Sequence, residues 1–179
     1  PVSLTNGPWN SYPLWSPDGL HIAFLVYRAG GQRTWVLSRD SVGGRWHEAS
    51  QLTDLQSAPW DWAPDGSGVL LWAGGNSLGL VSLQGRVLWR RDLAATSRLT
   101  GILWCRYARD GRTIYGVATD RDGRRGIWAI PGSAGEARLV VAADDPALDL
   151  FGPLAVGRDR LYLTVSEYES DIWVAKLRW

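Results

Sequence analysis

Trp15-Ser16-Pro17-Asp18-Gly19 reads W-S-P-D-G, and Trp62-Ala63-Pro64-Asp65-Gly66 repeats it as W-A-P-D-G. A third version, Tyr107-Ala108-Arg109-Asp110-Gly111, puts arginine in place of the proline. A fourth, Val156-Gly157-Arg158-Asp159-Arg160, puts arginine in place of the glycine. Aligned on Asp18, Asp65, Asp110 and Asp159, the copies are 47, 45 and 49 residues apart. That is the length of a propeller blade, about 40–50 residues. Proline fixes φ at the first central position of a turn, aspartate bonds the backbone just ahead, and glycine accepts a positive φ. The phrase therefore predicts a hairpin turn between the innermost and second strands of each unit.

After its turn, each of the four units repeats one pattern. Leu20–Tyr27, Val69–Trp72, Thr113–Val117 and Arg160–Val165 are β-branched and aromatic runs. Each turns through Gly, Asp, Asn or Ser into a third run: Thr34–Leu37, Leu78–Val81, Gly126–Ile130 and Asp171–Val174. Outer strands are predicted at His47–Leu52, Arg86–Arg91 and Ala137–Ala142. No apolar run keeps a helical period, and the one weak helical candidate is Pro146–Leu150. Trp15, Trp62 and Tyr107 close the innermost strands and are expected to pack between neighbouring blades. Trp35, Trp128 and Trp173, with Leu80 in their place in the second unit, form an aromatic set on the third strands. This gives five of the 12 tryptophans a structural use.

These residues resemble the TolB-like β-propeller repeat. Its marks are W-S-P-D-G, a strand such as Ile22-Ala23-Phe24, a strand such as Thr34-Trp35-Val36, and a Gln51-Leu52-Thr53 stretch opening the next unit. The resemblance covers essentially the whole chain and implies a fold rather than a reaction. Members of this family serve as periplasmic partners of membrane complexes, as sensor or scaffold domains, and as gating domains of prolyl-oligopeptidase-type enzymes.

The expected fold is thus all-β: one propeller domain over 1–179, made of four blade-like repeats, each a four-stranded antiparallel blade. The repeats run roughly 6–54, 55–95, 96–145 and 146–179, with 1–5 as a possible closing strand. Val2-Ser3-Leu4-Thr5 mirrors Ser50-Gln51-Leu52-Thr53 and would supply the outer strand that the fourth unit lacks. Two closures are open: a tight four-blade ring, or half of a larger propeller. The absence of methionine and a start at Pro1 are expected of a processed or trimmed product.

Composition narrows the function. A net charge of +1 argues for neither nucleic acid nor an acidic membrane surface. No apolar run reaches the roughly 18 residues of a membrane helix. Cys105 is the only cysteine, and His21 and His47 the only histidines. With no G-x-S-x-G turn, a complete nucleophilic site is not expected. Asp120-Arg121-Asp122-Gly123 opens like a calcium loop but has Pro131 where a closing glutamate would stand, so a hairpin turn is the simpler reading. No catalytic residue, metal or other cofactor is expected.

The connections between blades carry aromatics mixed with polar groups, as recognition surfaces do. Trp9, Asn10, Tyr12, Trp60, Asp61, Trp104, Arg106 and Phe151 form the candidate binding face, against the alternative that they cap seams between blades. Arg121, Arg124 and Arg125 make a small basic spot. The leading expectation is a non-catalytic interaction or scaffold module, an accessory subunit of a larger assembly. It would sit in the periplasm or outside the cell, with protein partners or self-association to complete a ring. One alternative is the gating or sensor propeller of a larger enzyme or regulator, such as a prolyl-oligopeptidase-like peptidase. Another is a propeller that binds a sugar or peptide.

Overall fold

The repeated turn forms three times with the same bonds. A computed structural model describes residues 10–145, 148–150 and 153–167. The Gly19, Gly66 and Gly111 N–H groups donate to the carbonyls of Ser16, Ala63 and Ala108 at 3.0, 2.9 and 3.1 Å. These glycines sit at φ of +70°, +73° and +65°, where a side chain would be strained. The aspartates accept the next backbone amides: Leu20 on Asp18, Ser67 on Asp65, and Arg112 on Asp110, at 2.8–2.9 Å.

These turns organise three antiparallel blades of four strands each. Blade one is β1 (Asn10–Trp15), β2 (His21–Arg28), β3 (Gly31–Ser38) and β4 (Ser50–Gln51). Blade two is β5 (Ala58–Trp62), β6 (Val69–Trp72), β7 (Ser77–Val81) and β8 (Val87–Asp92). A short helix, α1 (Leu93–Ser97), leads into blade three: β9 (Leu99–Tyr107), β10 (Thr113–Asp120), β11 (Arg125–Pro131) and β12 (Arg138–Ala142). The described part of blade four is an interrupted hairpin. Its strands β13 (Leu148–Leu150) and β14 (Ala155–Val156) pair with β16 (Val165–Glu167) and β15 (Leu161–Tyr162).

Period-two alternation sends each strand's side chains to two neighbours. Val69 and Leu71 of β6 join Ala23, Val36 and Trp62 in the seam between blades one and two. Leu70 points the other way, into the seam with blade three, among Leu99, Cys105, Tyr107, Ile114 and Trp128. Leu150, Leu154, Val117 and Ile127 fill the seam between blades three and four. The result is an open, partial propeller, consistent with half of a larger ring.

Several expectations are corrected. Leu148–Leu150 is strand, not helix, and the helix lies at Leu93–Ser97. There Asp92 caps the start by accepting from Ala94 and Ala95, and Arg98 ends it in the left-handed region. Five residues are too few to write a helical period. The outer strand of blade one is only Ser50–Gln51, because Trp46 turns in to pack against Trp15 instead of extending the ladder, leaving one bridge to Arg39. Trp15 is not packed between blades: it is 55% exposed, against 4% for Trp62 and 7% for Tyr107. Among the described residues, Trp46 and Arg39 of its own blade are what pack on it. Trp128 is buried, with its indole N–H on the Ala118 carbonyl at 3.1 Å, and Trp35 is half-buried under Arg28. Trp173, the third run of the fourth unit and the Val2–Thr5 strand lie outside the described residues.

Candidate functional site

Each complete innermost strand carries an extra residue near its middle relative to its partner, and β9 a second at Thr100. The register shifts between Ser11 and Leu14 in β1, between Pro59 and Asp61 in β5, and opposite Tyr115–Val117 in β9. Such bulges bend a strand and re-aim its side chains. Tyr12 and Trp104 stand at the same repeat position, three residues before the closing aromatic. Both adopt a positive φ, +54° and +53°, which bulky residues rarely take. Pro59 holds that position in blade two, where its ring fixes φ negative.

The bulges bring aromatics from three blades onto one wall. Tyr12 of blade one and Trp104 of blade three meet with ring centroids 5.8 Å apart, tilted by 58°. With Trp60, Tyr27, Trp72 and Ile102 they line a cavity of about 880 Å³. That is within the range of sites for small molecules and peptide segments. Gln32, Asn76, Thr100 and Arg125 supply its polar lining. Arg125 is already engaged: it pairs with Asp149 and donates to the Leu150 carbonyl at 3.2 Å. The wall is therefore aromatic and close to neutral.

Of the candidate binding face, the structure places Tyr12, Trp60 and Trp104 on this wall. Asp61 and Arg106 lie elsewhere, in the seam between blades two and three. Asp61 accepts from the Tyr107 N–H at 2.7 Å, and Arg106 donates to the Trp60 carbonyl. Burial pushes the Asp61 carboxyl above its usual range, opposed by that N–H and by Arg106. Asn10 begins β1, half-buried and away from the cavity lining, while Trp9 and Phe151 lie outside the described residues. Tyr27 and Trp72, at the ends of the second strands, look in sequence like the close of a plain β run. They stand at different repeat positions, Tyr27 nine residues after Asp18 and Trp72 seven after Asp65, so the repeat gives no signal that sets them apart. The basic spot is spent on structure: Arg121 donates to the Ala94 carbonyl, and Arg124 pairs with Asp120 at 2.7 Å. Asp120 also accepts the Asp122 and Arg124 amides, which makes 120–123 a hairpin turn.

One nucleophile–base pairing is invisible in the sequence. Ser38 Oγ lies 2.8 Å from His21 Nδ1, with Asp18 Oδ2 4.0 Å from Nε2. The pair is cross-strand, at the turn end of blade one, and outside the cavity lining. The aspartate's other oxygen is held by the Ser16 hydroxyl and the Leu20 N–H, so it serves the turn. Among the described residues, no three His, Cys, Asp or Glu gather as a metal site. No helix among them is long and apolar enough to cross a membrane.

No family model and no curated protein matches the chain. Solved structures do. A puromycin hydrolase mutant complexed with PGG aligns over 90% of this chain at 21% identity and a TM-score of 0.63. Puromycin hydrolase itself aligns over 90% at 19% identity and the same TM-score of 0.63. TolB from Acinetobacter baumannii aligns over 88% of this chain and 51% of its own, at 12% identity and a TM-score of 0.46. The chain spans 26% of the length of the puromycin hydrolase chains, and with that part of them it shares a β-propeller-type fold.

Proposed function

We propose that this chain is the propeller part of a larger, peptidase-like protein or assembly, where it recognises a peptide segment rather than cutting it. The observation that carries the reading is the neutral aromatic cavity built by the bulged innermost strands. Tyr and Trp give large, rigid contact area at low entropic cost, which suits an extended segment presented at a channel mouth. The likeness in fold to puromycin hydrolase supports a propeller working beside a hydrolase domain. The second reading, a TolB-like accessory subunit in the periplasm or outside the cell, rests on the W-S-P-D-G repeats and their resemblance. Reading the flanking coding sequence separates the two, because a hydrolase domain in the same frame belongs only to the first.

The binding test is a titration of the purified chain with a panel of unstructured peptides rich in proline and aromatic residues. The readouts are tryptophan fluorescence and calorimetry. We expect binding that weakens about tenfold or more in Trp60→Ala and Trp104→Ala, with the cooperative unfolding transition retained. Flat titrations across the panel, or binding indifferent to both changes, would sink the reading.

A further inference from the structure

Most of the cavity's polar groups come together where blades two and three meet. Arg125 pairs with Thr119 across the β10–β11 ladder, and Thr119 pairs with Gly101, the neighbour of Thr100. All of these residues line the cavity, with Asn76 of blade two. Much of their donor capacity is spent. The Thr100 hydroxyl donates to the Thr119 and Asp120 carbonyls, both at 3.2 Å, and the Asn76 side-chain amide donates to the Leu99 carbonyl. Arg125 is different. Its guanidinium meets the Asp149 carboxylate and the Leu150 carbonyl, both on β13. A guanidinium carries several N–H donors in one plane, so these partners leave others for the cavity. The side chain is 37% exposed.

The charge preference of the cavity follows from that pair. Among the described residues, Arg125 is the one charged side chain in the lining. Asp149, which is not part of the lining, compensates it. A carboxylate brought into the cavity would be a second anion on one guanidinium, and it would leave water for a wall of Tyr12, Trp60 and Trp104. A desolvated charge without a partner of its own is costly. A backbone carbonyl carries no such cost, because it accepts an N–H and brings no net charge.

We propose that Asp149 sets the specificity of the cavity. By compensating Arg125 it admits the uncharged carbonyls of an internal stretch of chain and rejects a free carboxyl terminus. Asp149 acts through Arg125 and is a positioning residue, whereas Arg125 donates to the bound segment. The inference rests on the peptide-binding reading above and names the part of a peptide that the site takes.

The test uses the tightest peptide of the proline- and aromatic-rich panel, made from one core with both ends blocked or with only the carboxyl end free. Calorimetry on the 179-residue chain reads the ratio of the two affinities. The wild type should bind the free-acid form about tenfold more weakly than the blocked form. Asp149→Asn should remove that penalty while holding the blocked form within about twofold, because Arg125 is then free to pair with the peptide carboxylate. Adding Arg125→Leu to Asp149→Asn should abolish the gain. Equal binding of both forms by the wild type overturns the inference and leaves the peptide-binding reading standing. So does an Asp149→Asn chain that unfolds cooperatively and keeps the wild-type ratio. If Asp149→Asn does not fold, Arg125→Leu alone decides. With Asp149 uncompensated, it should weaken the blocked form and weaken the free-acid form further, and an unchanged ratio overturns the inference. A panel without any binder overturns both readings together.

Discussion

Trp15, Trp62 and Tyr107 occupy one repeat position and live in different surroundings, so their removal should cost differently. Trp62→Ala empties a closed seam and should lose about 3–5 kcal/mol. Trp15→Ala removes an exposed ring that lies under Arg39 and meets Trp46 at a tilt, and should lose about 1 kcal/mol or less. Urea unfolding of the two variants checks both. The buried carboxyl in the neighbouring seam gives a second prediction. Burial raises the pKa of Asp61, so the folded chain holds that proton more tightly than the unfolded chain. This contribution is present below the ordinary value of about 4 and is lost as pH rises through the raised one. Asp61→Asn should flatten that stretch of the stability–pH curve. The sequence marked Trp62 and Tyr107 as seam residues. It could not show that Trp15 is largely exposed, because a repeat writes the same letter in either setting.

At the scale of elements, the hairpin turns were the most legible feature. Asp18, Asp65 and Asp110 each accept amides just ahead of them in chain, and those bonds hold all three carboxyls below their usual range. For Asp18 the Ser16 hydroxyl leads, for Asp65 the Ser67 side chain, and for Asp110 the Thr113 amide. A lowered carboxyl stabilises the fold above its unfolded pKa of about 4, and that support is lost as pH falls through the lowered value. Replacing all three with Asn should therefore lessen the acid sensitivity of the thermal midpoint. Asp65→Ala alone should cost about 1 kcal/mol. The bulges were not legible. An inserted residue leaves no mark when the strained positions hold Tyr12 and Trp104 instead of glycine. The cavity that depends on them was therefore visible in sequence only as aromatics near the blade connections. Tyr12→Gly should relieve the backbone while removing one side of the aromatic wall, so stability and peptide binding should move in opposite directions.

Across the whole molecule, protection should follow the number of covered faces. The inner strands of blade two, β6 and β7, are almost wholly buried between two neighbours, whereas β12 and β15 are half-exposed or exposed. Hydrogen exchange followed by mass spectrometry should find β6, β7 and the centre of β10 slowest, and β14 and β15 fastest. The blade count was legible because turns punctuate it. The open state of the ring was not, because closure depends on angles between blades that no local pattern encodes. The lone thiol turns this architecture into a clock. Cys105 is buried where blades two and three meet, tight against Gly116, and burial pushes its thiol well above the usual range. A disulfide reagent can reach it only when those two blades separate. In native buffer its labelling rate therefore times a single event, the parting of one seam, with no added probe and no second cysteine to confuse the count.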